Sequence, residues 1–417
     1  MINNKIRTAM MHYSAPPTVG GVEAVIRAHA KTFIEEGYPV SVITGTGEKA
    51  ALPPGVGFVH LPMLDSQHKD ILEINEGLEK GIVQKGYYKV RDNIKTHLEE
   101  KLQGFDNVIV HNVFSKHYNL PFTEALHQLL DEGKIKNCIA WCHDFSWATE
   151  RDKPFLYDRW PWDLLRTFRE DTQYVVVSKK RQRVMAKTFN IPKRKIKVIY
   201  NGIGPKELMG VSEETNTLIE SLGLDRADLI VLMPVRVTHA KNIELAMHVA
   251  ARLRSEHCTP QFLMTGPPDP HDPENLAYFE ELKKLRTRLK VEKNFRFLYE
   301  ENPDTDEAYI LDMKIVEELY RVCDLVFMPS HSEGFGMPIL EAGFAGKPVF
   351  ATEIPAVVEI GGDDIHLIDL AQGPEKVAEQ ILEWASNDSV YQFRVKTRQK
   401  YTWQTIFRER IQPLLAG

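Results

Sequence analysis

Short β-rich runs alternate with longer stretches of helical spacing almost from the first residue, and this alternation constrains the fold more than any other feature. It is the pattern of parallel strands joined by crossover helices. The first series runs Ile6–Met11, Val40–Thr44, Val56–Leu61, Val108–His111, Cys138–Trp141, Tyr174–Val177 and Ile196–Ile199. Asn201-Gly202-Ile203-Gly204-Pro205 then breaks the pattern, and a second series follows: Leu229–Met233, Gln261–Thr265, Phe295–Leu298, Leu325–Met328, Pro348–Ala351 and Ile365–Ile368. Two doubly wound α/β domains satisfy both series, one over 1–203 and one over 204–399. A length of 417 residues suits two such cores.

Composition narrows the function classes. A formal net charge of −6 argues against an unassisted nucleic-acid binder. The 4 cysteines, Cys138, Cys142, Cys258 and Cys323, are scattered, three of them in apolar runs, as reduced thiols of a cytoplasmic protein would be. No apolar run approaches the roughly 20 residues that span a bilayer, and Met1-Ile2-Asn3-Asn4 leads into the first strand without a signal-peptide pattern. The expectation is a soluble cytoplasmic protein without membrane association.

The most informative stretch is His331–Val349, HSEGFGMPILEAGFAGKPV. The apolar run Leu325–Met328 ends at Pro329-Ser330, Glu333-Gly334-Phe335-Gly336 forms a glycine turn, and Pro338 opens a segment of helical spacing. Glycines admit close approach of backbone to ligand, and proline costs nothing in the first helical turn. The helix start directs N–H groups and a positive dipole end at the turn, which suits phosphate oxygens at Gly334, Phe335, Gly336 and Met337. Two acids flank that site, Glu333 and Glu341, with seven residues between them. Ionised carboxylates only accept hydrogen bonds, and sugar hydroxyls donate them. A diphosphate with sugar hydroxyls on either side is the ligand chemistry that fits.

This stretch resembles the Glu-x7-Glu signature of the retaining glycosyltransferases of family 4, which have the two-domain GT-B fold of facing Rossmann-like domains. The resemblance implies that Glu341 holds the ribose, that Glu333 holds the donor sugar, and that the anomeric configuration is retained without a metal or cofactor. Arg236 and Lys241, at the end of one strand and the start of the next helix, resemble the family's Arg-x4-Lys pair. Val235 stands where the commoner family form has glycine. Two fixed cations there make sense opposite a diphosphate. Gly266, after the following strand, shapes the rim near the nucleotide.

In the first half, Gly20 and Gly21 precede an amphipathic helix over 24–35, and the family's corresponding loop lies near the donor phosphates and acceptor. Trp141-Cys142-His143-Asp144-Phe145 resembles the segment whose histidine contacts the donor sugar. His111 and Asp144 also follow strands at their ligand-bearing ends, and with Arg151 they are the candidates for the acceptor side. The aromatic and basic stretch 149–169 reads as one helix face packed on its neighbours, with an acceptor loop as the alternative. The basic run 178–197 reads as a solvated helix face. Asp304-Thr305-Asp306 has the Asp-x-Asp pattern of a metal site but sits in an acidic loop, so no metal is expected there. The last residues, 400–417, read as an amphipathic helix that the GT-B resemblance returns to the first domain.

The resulting expectation is transfer of a hexose from UDP-glucose or GDP-mannose to a hydroxyl of a sugar or small polar metabolite. Alternatives on the same fold are a sugar-nucleotide epimerase and a glycoside phosphorylase; a silent nucleotide-sugar-binding scaffold is the non-enzymatic one.

Overall fold

The computed structural model describes residues 6–268, 273–301 and 310–415. Asp304-Thr305-Asp306 lies outside them. The chain divides into two compact units, Met1–Ile203 with Tyr401–Gly417, and Gly204–Lys400. The second boundary thus falls after Lys400.

The first unit carries a seven-stranded parallel sheet: β1 (Thr8–Ser14), β2 (Val40–Thr46), β3 (Gly57–His60), β4 (Asn107–His111), β5 (Cys138–Cys142), β6 (Thr172–Val176) and β7 (Ile196–Val198). Its order is β3-β2-β1-β4-β5-β6-β7. The second unit carries β8 (Leu229–Met233), β9 (Pro260–Met264), β10 (Phe295–Phe297), β11 (Leu325–Met328), β12 (Val349–Thr352) and β13 (His366–Ile368), in the order β10-β9-β8-β11-β12-β13. All thirteen runs read from the sequence are strands, with ends displaced by up to three residues; β1 starts at Thr8 rather than Ile6. The central strands are apolar without alternation because helices cover both faces, and every residue of β8 is buried.

This topology fixes where ligands can sit. Strand order reverses between β1 and β4 in one unit and between β8 and β11 in the other, and in open α/β sheets ligands bind beyond the carboxyl ends of the strands at such switch points. In the first unit Gly20 follows β1, His111 ends β4 and His143 follows the neighbouring β5. In the second, Arg236 follows β8 and Glu333 follows β11.

The polar segment after β3 folds as two helices, Lys69–Leu78 and Lys85–Lys101. The stretch 149–169 is not a helix face but two 3-10 turns, Lys153–Phe155 and Trp162–Arg166, with connecting loop. Its cations stack: the Arg159 guanidinium lies 5.6 Å from the Tyr157 ring and that of Arg166 lies 4.4 Å from the Trp147 ring. Interleaved aromatic and basic residues supply such stacks without helical periodicity. The run 178–197 does contain a helix, Lys179–Phe189, capped by Ser178 and burying Met185, Ala186 and Phe189.

Within the first unit the segment Tyr401–Leu415 packs on the helix Gly21–Glu35. Phe407 meets Phe33 edge to face at 4.8 Å, and Arg408 Nε donates to Glu36 at 3.0 Å. The helix Trp403–Ile406 continues through a π-helical turn, Phe407–Ile411, into Gln412–Leu415. No helix among the described residues is long and apolar enough to cross a membrane.

Candidate functional site

In the second unit the residues singled out from sequence converge on the loops beyond β8 and β11. Gly336 takes a left-handed conformation (φ 94°) as the N-cap of the helix Met337–Phe344, a geometry that favours glycine, and Pro338 sits in the first turn. A Cβ on Gly334 would meet nothing within 4 Å, so that glycine leaves open space in front of the turn. Among the described residues, the amides of Gly334, Phe335, Gly336 and Met337 donate to no backbone carbonyl. They form a set of unsatisfied donors at a positive helix end, as an anion site requires.

Glu333 is held from two sides. Lys241 Nζ lies 2.8 Å from both carboxylate oxygens, and Ser330 Oγ donates to Oε1 at 2.6 Å. The Glu333 side chain is 7% exposed and that of Lys241 21%, so the pair is shielded from bulk water. The loops are pinned together by the amide of His331, which donates to the Ala240 carbonyl at 2.8 Å. Lys241 closes a short 3-10 turn, and Asn242, left-handed at φ 48°, swings the chain into the helix Ile243–Ser255. Arg236 is exposed and makes no side-chain hydrogen bond or ion pair among the described residues. One of the two expected cations is therefore already partnered, and the other is free for an anion.

Glu341 also has a partner, since Tyr320 donates from its hydroxyl to Oε2 at 2.5 Å. Burial, and then the Glu341 carboxylate, push the Tyr320 phenol well above its ordinary range, so it remains a donor. Gly266 is explained by packing: a Cβ there would come within 2.4 Å of the Val235 carbonyl oxygen and 2.7 Å of the Arg236 Cα. The glycine lets β9's loop close against the segment that carries Arg236. Lys347 bonds inward, donating to the carbonyls of Arg321 (3.0 Å) and Cys323 (2.7 Å) at the end of the helix Met313–Val322.

The first unit gathers four histidines beyond and beneath its switch point. Asn112, left-handed at φ 61°, accepts the amides of His143 (2.7 Å) and Asp144 (3.2 Å) through Oδ1 and so shapes the turn after β5. His143 Nε2 lies 3.2 Å from His111 Nδ1, and His12 Nδ1 donates to the His111 carbonyl at 2.9 Å. Burial holds these imidazoles neutral: that of His143 is pushed down to about 4 and that of His29 to about 3. His111, a candidate for the acceptor side, is enclosed in the structure. It is 0% exposed, and its ring supports His143 instead. Asp144 is ion-paired with Arg181. Arg151 is exposed, 3.8 Å from Asp152.

Gly20, the N-cap of Gly21–Glu35, is extended; a Cβ would meet the Glu23 carboxylate at 2.1 Å, while Gly21 faces open space. Glu23 accepts the Ser14 hydroxyl at 2.6 Å. Ser330, Tyr320, His12 and Glu23 escaped the sequence reading. Ser330 adjoins the glycine turn, whereas nothing local marks Tyr320.

Comparison with known proteins gives a consistent answer in both halves. Residues 19–207 match the family model described as Glycosyltransferase Family 4, and residues 214–402 match Glycosyl transferases group 1. An uncharacterised glycosyltransferase of Methanocaldococcus jannaschii is 26% identical, covering 97% of each chain. The mannosylglucosylglycerate synthase of Petrotoga mobilis is 24% identical, over 80% of this chain and 77% of its own. A D-inositol 3-phosphate glycosyltransferase of Mycobacterium sp. is 29% identical, over 40% of this chain and 38% of its own. Among solved structures, a Rickettsia africae glycosyltransferase aligns over 99% of this chain and 98% of its own at 17% identity and a TM-score of 0.38.

Proposed function

This chain belongs to the family 4, group 1 glycosyltransferases of GT-B fold, and on that premise we propose that it is a retaining, metal-independent hexosyltransferase using a nucleoside diphosphate sugar. The donor is UDP-glucose or GDP-mannose, and the acceptor a hydroxyl of a sugar or small polar metabolite. One observation carries this reading: a free Arg236, the Lys241–Glu333 pair and four unsatisfied amides all belong to the loops beyond β8 and β11.

The chemistry follows from charge. Breaking the glycosidic bond to the diphosphate builds negative charge on the leaving oxygens and positive character on the sugar ring. Fixed donors aimed at the developing anion are the largest expected catalytic contribution. Arg236, Lys241 and the amides at 334–337 serve the anion. Glu333 serves the sugar, accepting its hydroxyls with the oxygen valences that Lys241 and Ser330 leave. Glu341, oriented by Tyr320, accepts the ribose hydroxyls. By the family resemblance His143, which burial keeps neutral at physiological pH, is the first unit's candidate for hydrogen bonding to a sugar hydroxyl without adding charge.

The test is a thermal-shift panel of UDP, GDP and ADP, in which a ligand at about 100 times its Kd stabilises by roughly 2.7 kcal/mol. The panel is followed by NMR of the product anomer formed from the donor of the stabilising base. Stabilisation by one diphosphate and an α-linked product from an α-donor are expected. No shift with any of the three, or an inverted anomer, overturns the assignment.

A further inference from the structure

The first unit contains a half-open cavity of about 470 Å³ that the donor chemistry does not use. Its walls come from the loops after β3, β4 and β5 and from the helix Lys69–Leu78, at the carboxyl ends of the strands. That is the side of an open α/β sheet on which ligands bind, and the volume is in the range of about 300–1,000 Å³ usual for small-molecule sites.

The cavity is built and braced. Asn75 Nδ2 donates to the Tyr118 carbonyl at 3.0 Å, tying the helix to the turn after β4. The Tyr157 hydroxyl donates to the Glu79 carbonyl at 2.9 Å and Arg159 donates to that of Gly81 at 2.7 Å, tying the loop after β5 to the end of the same helix. His117 stacks on Phe155 with ring centroids 6.2 Å apart, Tyr118 adds a further ring, and Trp162, 1% exposed, backs the wall.

The hydrogen-bond inventory defines what would fit. Asp152 is an ionised carboxylate paired with Lys116, so Ser146 Oγ, 3.1 Å away, must donate to it. Ser146 Oγ therefore accepts from His117 Nδ1–H at 2.7 Å, which fixes the tautomer and leaves His117 Nε2 a bare lone pair with no partner among the described residues. Burial, the largest influence, pushes His117 down to about 4, so it stays uncharged. Glu76 and Glu79, on the exposed side of the helix, line the same space, and no cation pairs with either among the described residues. Among the described residues no lysine or arginine lines the cavity; Lys116 and Arg151, both at Asp152, act on His117 from outside the lining.

We propose that this cavity is the acceptor subsite and that it selects an uncharged polyhydroxylated acceptor, a sugar or polyol, over a phosphorylated or carboxylated one. The assignment rests on the glycosyl-transfer reading above and adds the acceptor's charge. Two carboxylates and a bare imidazole lone pair only accept, which hydroxyl groups satisfy by donating, while Ser66 and Gln67 in the same lining supply uncharged donors for a sugar's own oxygens. A phosphate or carboxylate brings further acceptors and like charge. The aromatic faces cover the C–H surface of a sugar ring.

The experiment is ligand-observed saturation-transfer NMR on the full chain with two probes of one skeleton, glucose and glucose 6-phosphate, without donor. Glucose should bind at least about tenfold more tightly than its phosphate. Phe155→Ala should weaken glucose severalfold, which places the probe in this cavity, and the Glu76→Gln/Glu79→Gln double variant should narrow the discrimination. Equal or tighter binding of glucose 6-phosphate overturns the proposal, as does binding of neither probe or glucose binding indifferent to Phe155→Ala. The catalytic reading is separately accountable. Glucose bound in the cavity with no transfer from any nucleotide sugar defeats that reading alone, and transfer only to the phosphorylated probe defeats the cavity proposal alone.

Discussion

Lys241 and Glu333, 92 residues apart in the chain, form a symmetric pair in which one ammonium lies 2.8 Å from both carboxylate oxygens. An arriving diphosphate must share that ammonium with a carboxylate already in place. Binding and catalysis therefore respond in opposite directions when the carboxylate is neutralised.

Glu333→Gln should bind nucleoside diphosphate more tightly than the parent, because a like charge beside the anion site is gone and Lys241 is released. Transfer should nevertheless fall by about 100-fold or more, the usual cost of losing one well-placed charged or hydrogen-bonding group at the reacting centre. Calorimetric titration with the diphosphate and initial rates with the sugar donor separate the two. Parallel loss of both would show that Glu333 acts only through folding.

Arg236 and Lys241 should behave differently although both are cations. Arg236 is exposed and unpartnered among the described residues, so Arg236→Ala should weaken diphosphate binding by about tenfold or more while leaving the melting temperature within a degree or so. Lys241→Ala strands a shielded carboxylate, so it should also destabilise the protein by about 2 kcal/mol, less than a fully buried pair because Lys241 keeps some solvent contact. Melting curves with and without diphosphate test the contrast.

Tyr320 acts on the nucleotide through Glu341. Tyr320→Phe removes the 2.5 Å hydrogen bond that orients the carboxylate. It should raise the donor KM severalfold, by roughly 1 kcal/mol of lost orientation, with little change in kcat. A fall in kcat at constant KM would mean that Tyr320 serves the chemical step.

Acid should destabilise this protein before its carboxylates titrate. Burial lowers the imidazoles of His29 to about 3 and of His117, His127 and His143 to about 4, whereas the unfolded chain takes up protons near 6.5. Between those values the unfolded state binds more protons, so stability rises with pH. It is fully present above about 6.5 and is lost progressively as pH falls towards about 4. Urea midpoints across that window should slope accordingly. Among the described residues His29 has no partner for either ring nitrogen, and it packs edge to face on Trp141 and Trp403. His29→Phe keeps that packing, so it should stabilise by about 1 kcal/mol at neutral pH and flatten the slope.

Much of the architecture was legible in the residues. Each strand is a short apolar run between polar loops, and a parallel sheet covered on both faces leaves that mark locally. The glycine turn after β11 was legible for the same reason, because Gly336 at φ 94° and Pro338 in the first turn are demands of the local backbone. The stretch 149–169 was not, since stacked guanidinium and aromatic groups have no period and its two 3-10 turns are too short to print one. Burial of His111 was equally hidden: a strand end can face solvent or a neighbouring ring, and the sequence is the same in both cases.

The amino-acid order alone determined the two layered α/β units and the acids and cations at their strand ends, because hydrophobic period, glycine and proline act over a few residues. The tertiary structure alone decided which of those side chains meet. Lys241 reaches Glu333 because β8 and β11 are adjacent in the sheet despite the intervening β9 and β10, and Glu341 is oriented by a tyrosine from a different helix. Pairings of that kind are set by strand order and loop packing, which are properties of the folded chain as a whole and leave no trace in the spacing of neighbours.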